Sequence, residues 1–263
     1  MNMTQGAASW IVCPKPRPEA RLRLFCFPCA GGMVSAYSRW ATLLPAGVEL
    51  CVIHLPGRGK RIAENPYVRL AQLLPVLTQA LEPCLNIPFA FLGHSMGAVL
   101  GFEVARALRQ RQPPGPMQLF CCSCPAPQIP IATPHIHPLP EQAFITELNR
   151  RYEAIPASIQ QDRSILELFL PSLRADFTLL ETYIYVPDRP LDCPISVYAG
   201  QQDNAVSSLD LAGWRDHTSG CFDLKIFQGN HFFLHHQPQP FLQTLIQSLA
   251  ALTDQPALMA EIG

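Results

Sequence analysis

The chain has 263 residues, of which 48% are hydrophobic and 15% charged, and its formal net charge is -1. A chain of this length can bury one substantial core, and the near-zero charge excludes the clustered basic excess of nucleic-acid and anionic-membrane binders. Because the N-terminus lacks a secretory signal pattern and no apolar run approaches the roughly 18 residues of a membrane span, we expect a soluble, cytoplasmic protein without nucleic-acid or membrane partners.

Short apolar runs rich in aromatic and β-branched residues alternate along the chain with longer segments of helical periodicity. The runs predict strands over residues 22–28, 49–55, 89–94, 118–123, 194–199 and 223–227. The periodic segments predict helices over residues 34–44, 69–84, 96–111 and 240–252. This alternation predicts a single α/β domain over residues 1–263, with a mostly parallel central sheet flanked by helices.

Residues 141–185 interrupt the alternation, because their apolar residues recur at three- and four-residue spacing and no strand-like run appears until Ile184. We interpret this segment as a helical insertion between two strands. Insertions at the edge of an α/β core commonly serve as lids, since such an element can move while the sheet stays fixed. The alternative, a helical subdomain that only packs against the sheet, stays open.

The segment FAFLGHSMGAVLGFEVARAL contains the pattern G-x-S-x-G from Gly93 to Gly97, between an apolar strand and a helix. In this pattern the serine stands on a tight turn, where side chains two positions away on either side would clash. The turn lifts the Ser95 hydroxyl above the sheet and places it at a helix N-terminus, which favours developing negative charge. We therefore predict Ser95 as a nucleophile, with a glycine-rich turn and a capping serine as the structural alternative.

A serine hydroxyl needs a base to accept its proton, and the base needs an orienting acid. In hydrolases with this motif the chain order is serine, then Asp or Glu, then histidine. His231 comes directly after a predicted strand, and Gly229 permits the turn that aims it back across the sheet. The other histidines precede the serine, adjoin it pointing away from its hydroxyl, or lie in loops and helix starts: His54, His94, His135, His137, His217, His235 and His236.

The acid predicted for His231 is Asp203, which follows a predicted strand and a turn at Gly200 in PISVYAGQQDNAV. From this place its carboxylate can reach the far nitrogen of the histidine. Other aspartates are less well aimed or stand at the wrong end of the sheet: Asp188, Asp192, Asp210, Asp216 and Asp223. A solvated turn carboxylate is the alternative for Asp203.

Six segments together, FCFPCAGG, LPGRGKR, GHSMGA, LPSLRADF, YAGQQD and GNHFFL, resemble in order and spacing the discrete type II thioesterases that accompany nonribosomal peptide and polyketide synthetases. The likeness extends from about Leu22 to Leu252. It implies an α/β-hydrolase fold with a helical lid at about 141–185. It also implies an enzyme that cleaves acyl groups from the phosphopantetheine arm of carrier proteins, to edit or to release them, without a cofactor or metal. Carrier-protein domains would be its partners, and we expect a monomer.

The resemblance also assigns roles to single residues. Ser95 would be the nucleophile, His231 the base and Asp203 the orienting acid. The tetrahedral intermediates carry an oxyanion, for which the backbone N–H of Met96, directly after the nucleophile, is one expected donor. The family pattern places the second donor at the backbone N–H of Ala30.

A C-x-x-C pair, Cys26 and Cys29, precedes Gly31 and Gly32 and at first suggests a redox site or half a zinc site. The only other cysteine cluster lies in a predicted strand with irregular spacing, so we predict neither metal nor redox chemistry here. Cys29 departs from a frequent family pattern, which has a histidine or an aromatic residue at this position. Since the expected donor is a backbone group, we expect the oxyanion hole to survive this departure, which would change the pocket wall and with it the acyl preference. Cys29→Ala should accordingly retain most activity.

Arg58, Lys60 and Arg61 in LPGRGKR offer a basic edge for acidic carrier proteins, but ordinary solvated surface charge explains them equally well. Two other classes of function stay open. A small-molecule esterase or acyltransferase would use the same triad, and an inert binding protein would share only the fold. Preference for free esters would indicate the first, and failure of a fluorophosphonate to label Ser95 the second.

Overall fold

The central sheet is mostly parallel, as the alternation of strands and helices predicts. A computed structural model describes residues 10–111, 115–131, 134–155 and 161–254. Its strands are β1 Ile11–Val12, β2 Leu22–Phe27, β3 Val48–Ile53, β4 Phe89–His94, β5 Leu119–Cys122, β6 Ile195–Gly200 and β7 Phe222–Phe227. They lie in the spatial order β1-β3-β2-β4-β5-β6-β7, and all neighbours are parallel except β1, which pairs antiparallel with β3.

Side chains along β2 alternate between two apolar layers, as the two-residue period of a strand requires. Phe25 and Phe27 enter the cluster on one face of the sheet, whereas Leu24 and Cys26 enter the cluster on the other. A strand that is buried on both faces has a nearly continuous apolar sequence. Cys26 is therefore a core residue, as its place in an apolar run indicates.

Helices cover both faces of the sheet within the described ranges. α3 and α4 contribute to one apolar layer, and α2 and α9 to the other. The helices are α1 Ser35–Ser38, α2 Trp40–Leu43, α3 Leu70–Leu81, α4 Met96–Arg111, α5 Glu141–Tyr152, α6 Arg163–Glu181, α7 Ser208–Ala212, α8 Phe233–His236 and α9 Pro238–Thr253. None of them is long and apolar enough to cross a bilayer.

Several elements differ from their sequence predictions. The segment predicted as one helix at 34–44 forms two, α1 and α2, separated by Arg39. The helix predicted at 69–84 ends at Leu81 and continues as a 3-10 turn, Glu82–Cys84. This turn contains a proline, which has no N–H for a helical hydrogen bond. The strand β1 has no predicted counterpart, because two residues carry no periodic signal.

The predicted helical insertion consists, in its described part, of α5 and α6. The two helices share an apolar cluster of their own, separate from the layers on the sheet: Ile136, Phe144, Ile145, Leu148, Ile155, Leu166, Leu170, Leu173 and Phe177. Ala30, in the loop after β2, packs against this cluster. Residues 156–160 of the predicted insertion lie outside the described residues.

The strand β7 lies at the edge of the sheet and is less buried than the inner strands. Its side chains alternate between half-buried and exposed over most of its length. Asp223 and Lys225 both point to the exposed side and form an ion pair of 3.3 Å. The chain leaves β7 at Phe227 and reaches His231 four residues later.

Gly97→Ala is expected to destabilise the protein by about 3 kcal/mol or more, because α4 packs directly on the end of β2. A Cβ at Gly97 would lie 1.9 Å from the carbonyl oxygen of Phe27 and 2.7 Å from that of Pro28. Both contacts are with backbone, which cannot rotate away. Urea unfolding of the variant measures the loss.

Gly115→Ala is the matched control for this substitution. A Cβ at Gly115 meets no heavy atom within 4 Å, so we expect its stability to stay within about 0.5 kcal/mol of the parent protein. If both variants unfolded at the same urea concentration, this result would contradict the close packing of α4 on the end of β2.

Candidate active site

Ser95 stands on the turn between the end of β4 and the start of α4. Its φ is 52°, in the left-handed region that non-glycine residues rarely adopt. The turn is held by the Ser95 N–H, which donates to the Cys122 carbonyl at 2.8 Å. A Cβ at Gly93 would lie 2.3 Å from the backbone of Ala98, so neither glycine of G-x-S-x-G leaves space for a side chain. This is the strained strand-to-helix turn that the motif predicts.

His231 and Asp203 are brought together by the loops that follow β7 and β6. His231 Nδ1 lies 3.0 Å from Asp203 Oδ2 and 3.1 Å from Oδ1. Both side chains are buried, with exposures of 5% and 0%. The two loops are in close contact, since a Cβ at Gly200 would lie 2.3 Å from the carbonyl oxygen of Asn230. The predicted histidine and aspartate therefore form a buried pair.

The pKa of Asp203 is below its usual 3.8 in spite of its burial. Burial raises this pKa, but the hydrogen bond and charge of His231 and the N–H of Ala205, 3.0 Å from Oδ1, lower it by more. The carboxylate is thus charged at neutral pH. It can accept the Nδ1 proton of His231, which leaves Nε2 as the unprotonated nitrogen.

Ser95 and His231 line the same apolar cavity of about 60 Å³. Among the contacts of the described residues, no hydrogen bond joins the two side chains. Such bonds are often long before substrate binds. The rest of the wall is mostly apolar: Val99, Ser123, Cys124, Pro125, Ala126, Pro127, Ile129, Ile131, Tyr152, Leu180, Tyr183, Ala205 and Val206. The arrangement offers an apolar chamber beside a serine, an imidazole and a carboxylate.

Tyr152, the last residue of α5, is a site residue that sequence reasoning missed. Its ring lies 5.0 Å from the His231 ring in an edge-to-face arrangement. The next residue, Glu153, accepts a hydrogen bond from Asn230 Nδ2 at 2.7 Å. The helical insertion therefore directly contacts the loop after β7 that carries Asn230 and His231, which we call the histidine loop. A contact between residues so far apart in the chain leaves no local signal in the sequence.

His94 lies behind His231 and does not line the cavity. Its Nε2 donates to the carbonyl oxygen of His231 at 2.9 Å, so it holds the backbone that carries the imidazole. Its ring also contacts the ring of His235, 5.5 Å away. His235 lies in the last turn of α8 and is half-buried, so it is neither the helix-start nor the surface residue that the sequence predicts.

His94→Gln is expected to make the stability of the protein less sensitive to acid. Burial, followed by the charges of His231 and His235, lowers the pKa of His94 well below 6.5. As the pH falls through 6.5, the unfolded state therefore binds a proton that the folded state does not. The stability that neutral His94 provides is present above this pH and lost below it, by about 2 kcal/mol at about pH 5.

Glutamine keeps an N–H donor for the His231 carbonyl and does not titrate. Urea unfolding at about pH 7.5 and about pH 5 measures the difference in unfolding free energy for each protein. We expect a smaller difference for the variant. Equal differences in the two proteins would contradict a neutral, buried His94.

The loop after β2 forms a tight turn from Cys29 to Gly32. The N–H of Gly32 donates to the carbonyl of Cys29 at 2.8 Å, and Gly31 has a φ of 68°, as in a type II turn. The N–H of Gly31 donates to Asp176 Oδ2 at 2.7 Å. In the described part of the chain, the N–H of Ala30 has no such partner. Ala30 does not line the cavity that contains Ser95, but borders a second cavity, of about 260 Å³.

The arginines of LPGRGKR do not form a basic docking edge. Arg58 is buried in an ion pair with Asp176, and Arg61 pairs with Glu64 and lies 4.0 Å from the Trp10 ring centre. Lys60 is the exposed residue of the three. The docking hypothesis is therefore wrong for both arginines, and so is the alternative of solvated charge. The sequence around Arg58 gives no sign that its ion-pair partner, Asp176, lies more than a hundred residues away.

The C-x-x-C cysteines are both buried thiols. Burial raises the pKa of Cys29 to about 12 and that of Cys26 well above 9.0. Both are therefore protonated at neutral pH, whereas thiol nucleophiles and metal ligands are thiolates. This agrees with the interpretation that the backbone of the turn, not its thiols, is chemically important.

Two groups of side chains in the described residues have the spacing of metal ligands: Cys13, Glu49 and Cys51, and His135, His137 and Glu181. Neither group lines the cavity of Ser95. Both carboxylates already accept hydrogen bonds, Glu49 from Arg17 and Arg23, and Glu181 from His137 and the backbone. Both groups are therefore separate from the cavity that Ser95 and His231 line.

Known proteins match this chain over most of its length. A thioesterase domain family model matches residues 22–249. Gramicidin S biosynthesis protein GrsT of Aneurinibacillus migulanus is 41% identical, covering 95% of this chain and 97% of that protein. Linear gramicidin dehydrogenase LgrE of Brevibacillus parabrevis is 38% identical, covering 91% and 92%. The structure of YbtT, a type II thioesterase from the yersiniabactin NRPS/PKS biosynthetic pathway, is 28% identical with a TM-score of 0.81, covering 92% and 98%. The chain therefore belongs to the thioesterase family and has its α/β-hydrolase fold.

Proposed function

We propose that the protein hydrolyses acyl thioesters on the phosphopantetheine arm of carrier proteins in nonribosomal peptide or polyketide biosynthesis, for editing or release. The observation that carries the proposal is the 3.0 Å contact between His231 Nδ1 and Asp203, beside a cavity that His231 shares with Ser95. Membership of the thioesterase family indicates the bond that this arrangement cleaves. The name of LgrE refers to a dehydrogenase, but a serine, a histidine and a carboxylate in this arrangement support acyl transfer.

In the proposed mechanism, Ser95 Oγ attacks the thioester carbonyl carbon while His231 Nε2 accepts the hydroxyl proton. The C–S bond of the tetrahedral intermediate then breaks, and the imidazolium returns the proton to the leaving pantetheine sulfur. Water then attacks the acyl carbon with His231 again as base. The bond from that carbon to Ser95 Oγ breaks, the imidazolium returns the proton to Oγ, and the free acid leaves. Asp203 keeps Nε2 unprotonated before each of the two nucleophilic attacks and stabilises the imidazolium that follows each attack. This sequence needs no cofactor.

Ala30 and Met96 are the proposed oxyanion donors. Support for Ala30 comes from the turn itself, because the amides of Gly31 and Gly32 already donate to Asp176 and Cys29. Support for Met96 comes from its place as the first residue of α4, where amides lack intrahelical acceptors and the helix dipole favours negative charge. Removing one such donor costs about 2.7 to 4 kcal/mol in other hydrolases.

A panel of acyl-loaded carrier proteins, assayed beside free esters of the same acyl groups, tests the proposal. We expect the carrier-bound thioesters to have the higher kcat/KM and Ser95→Ala to abolish their hydrolysis. If the free esters were better substrates, the protein would be a small-molecule esterase. If a fluorophosphonate left Ser95 unlabelled, the serine would not be the nucleophile.

A further inference from the structure

A buried ion pair joins the helical insertion to the turn that carries Ala30. Arg58 Nη1 and Nη2 donate to the two carboxylate oxygens of Asp176 at 2.8 Å each, and both side chains are 4% exposed. The same carboxylate accepts the Gly31 N–H at 2.7 Å. Asp176 belongs to α6, so one residue of the insertion binds a turn that precedes it by 145 positions.

We propose that Asp176, held by Arg58, is a positioning residue for the oxyanion hole. Asp176 fixes the turn that presents the Ala30 N–H, and it does so from the helical insertion. The inference rests on the proposed function, because it takes Ala30 as an oxyanion donor.

The turn needs such an anchor because its central peptide can rotate. Type I and type II turns share the hydrogen bond from residue i+3 to residue i and differ by a flip of the peptide between the two central residues. Gly31 permits both forms, since it has no Cβ. In the observed form, the N–H of this peptide points at Asp176, and the flipped form would direct the Ala30 carbonyl there instead. Asp176 therefore stabilises the observed form.

Arg58 in turn holds Asp176 in place. The two parallel N–H···O contacts leave the carboxylate little rotational freedom. Arg58 Nη1 also lies 3.5 Å from the carbonyl of Gly32, at the far end of the turn. The carboxylate and the guanidinium thus contact the turn at two successive residues, Gly31 and Gly32.

The insertion consequently contacts both loops of the site. Its helix α5 contacts the histidine loop through Tyr152 and Glu153, and its helix α6 binds the turn through Asp176. A displacement of α6 that broke the Gly31 hydrogen bond would release the turn. We therefore infer that the site is complete only while α6 is seated.

Asp176→Asn and Asp176→Leu are the primary variants. Asparagine keeps an acceptor for the Gly31 N–H but loses the charge, whereas leucine loses both. Because either leaves Arg58 buried without a counter-charge, the double variant Arg58→Met/Asp176→Leu removes both charges together. Circular dichroism at the assay temperature establishes that each variant is folded.

Glu49→Gln is the matched control. Glu49 is also a buried carboxylate that accepts a backbone N–H, from Arg17 at 2.8 Å, and an arginine, Arg23, at 2.9 Å. It lies near the start of β3, at the opposite end of the sheet from the site. The control therefore removes the same kind of interaction without touching the turn.

We expect Asp176→Leu and the double variant to lower kcat by roughly 10- to 100-fold with KM within about twofold, and Asp176→Asn to have a smaller effect. The inhibition constant of a substrate-like trifluoromethyl ketone, which forms a tetrahedral adduct with a serine, should rise in parallel. Binding of a carrier protein bearing a non-hydrolysable thioether should be unchanged. Glu49→Gln should leave kcat unchanged.

A folded Asp176→Leu protein with kcat within about threefold of the parent would overturn the proposal. The proposal would also be overturned if Asp176→Leu lost kcat and affinity for the thioether-bearing carrier protein to the same extent.

The rate of fluorophosphonate labelling separates this inference from the proposed function. Labelling uses the serine and the oxyanion hole but no thioester. In one outcome, the fluorophosphonate labels the parent protein fast and Asp176→Leu more slowly, but the parent protein does not hydrolyse acyl carrier proteins. The positioning role of Asp176 would then stand, and the proposed substrate would be wrong. If carrier hydrolysis succeeded and Asp176→Leu labelled at the parent rate, the positioning role would be wrong.

Discussion

Ser95→Ala is expected to lower kcat for carrier-bound thioesters on the order of 10⁵- to 10⁶-fold. The alanine removes the only group proposed to form the acyl-enzyme, while the turn, the helix N-terminus and the His231–Asp203 pair remain. The residual rate would come from substrate binding and the oxyanion donors. Stopped-flow detection of the released thiol measures the loss, and intact-mass spectra of the parent protein should show an acyl adduct that the variant lacks.

Ser248→Ala is the control for this experiment. The Ser248 hydroxyl donates to the Thr244 carbonyl within α9, away from the cavity. It should retain the parent kcat. If Ser95→Ala kept more than about one per cent of the parent activity after contaminating hydrolases were excluded, the nucleophile would lie elsewhere.

Asp203→Asn is expected to lower kcat by about 10⁴-fold while the fold stays intact, the size of effect known for the equivalent substitution in a serine protease. The carboxylate accepts the Nδ1 proton and so leaves Nε2 free to act as base. An asparagine can offer an N–H to Nδ1 and thereby hold the proton on Nε2, facing the serine. Since the pKa of Asp203 lies below 3.8, the parent protein should keep this carboxylate charged over the whole assay range. Any decrease in kcat at low pH should then reflect the protonation of groups other than Asp203.

Asp223→Asn is the matched control for this second substitution. Asp223 lies on β7, near the chain position of His231 but on the exposed side of the sheet edge. Its replacement should not change kcat. A loss in Asp223→Asn as large as that in Asp203→Asn would show that the orienting acid had been assigned wrongly.

The turn at Ser95 and the parallel sheet could be predicted because their causes are local. A strand buried on both faces is apolar nearly throughout, and G-x-S-x-G marks a turn where a Cβ added at either glycine would lie 2.3 Å or less from neighbouring backbone. Asp203 and His231 were recognisable for the same reason, since each follows a strand of the sheet. Parallel strands bring such residues to one edge.

The contacts that complete the site could not be predicted, because they join distant residues without a repeating pattern. Arg58 and Asp176 are 118 positions apart. They lie in the segments LPGRGKR and LPSLRADF, and nothing in either segment indicates that the two residues pair. Tyr152 ends a helix whose apolar positions serve its own cluster, and its contact with His231 depends on how that helix is seated. Secondary structure was therefore readable, and the docking of the insertion was not.

The position of β7 at the sheet edge has a consequence for aggregation. An edge strand presents unpaired backbone groups on which another chain can add a strand, and charged side chains on such a strand oppose this addition. On β7 the exposed Asp223 and Lys225 occupy this role, beside Ile226, which is 49% exposed. The resistance of the protein to aggregation therefore depends on two charges that lie a few residues before the loop of His231.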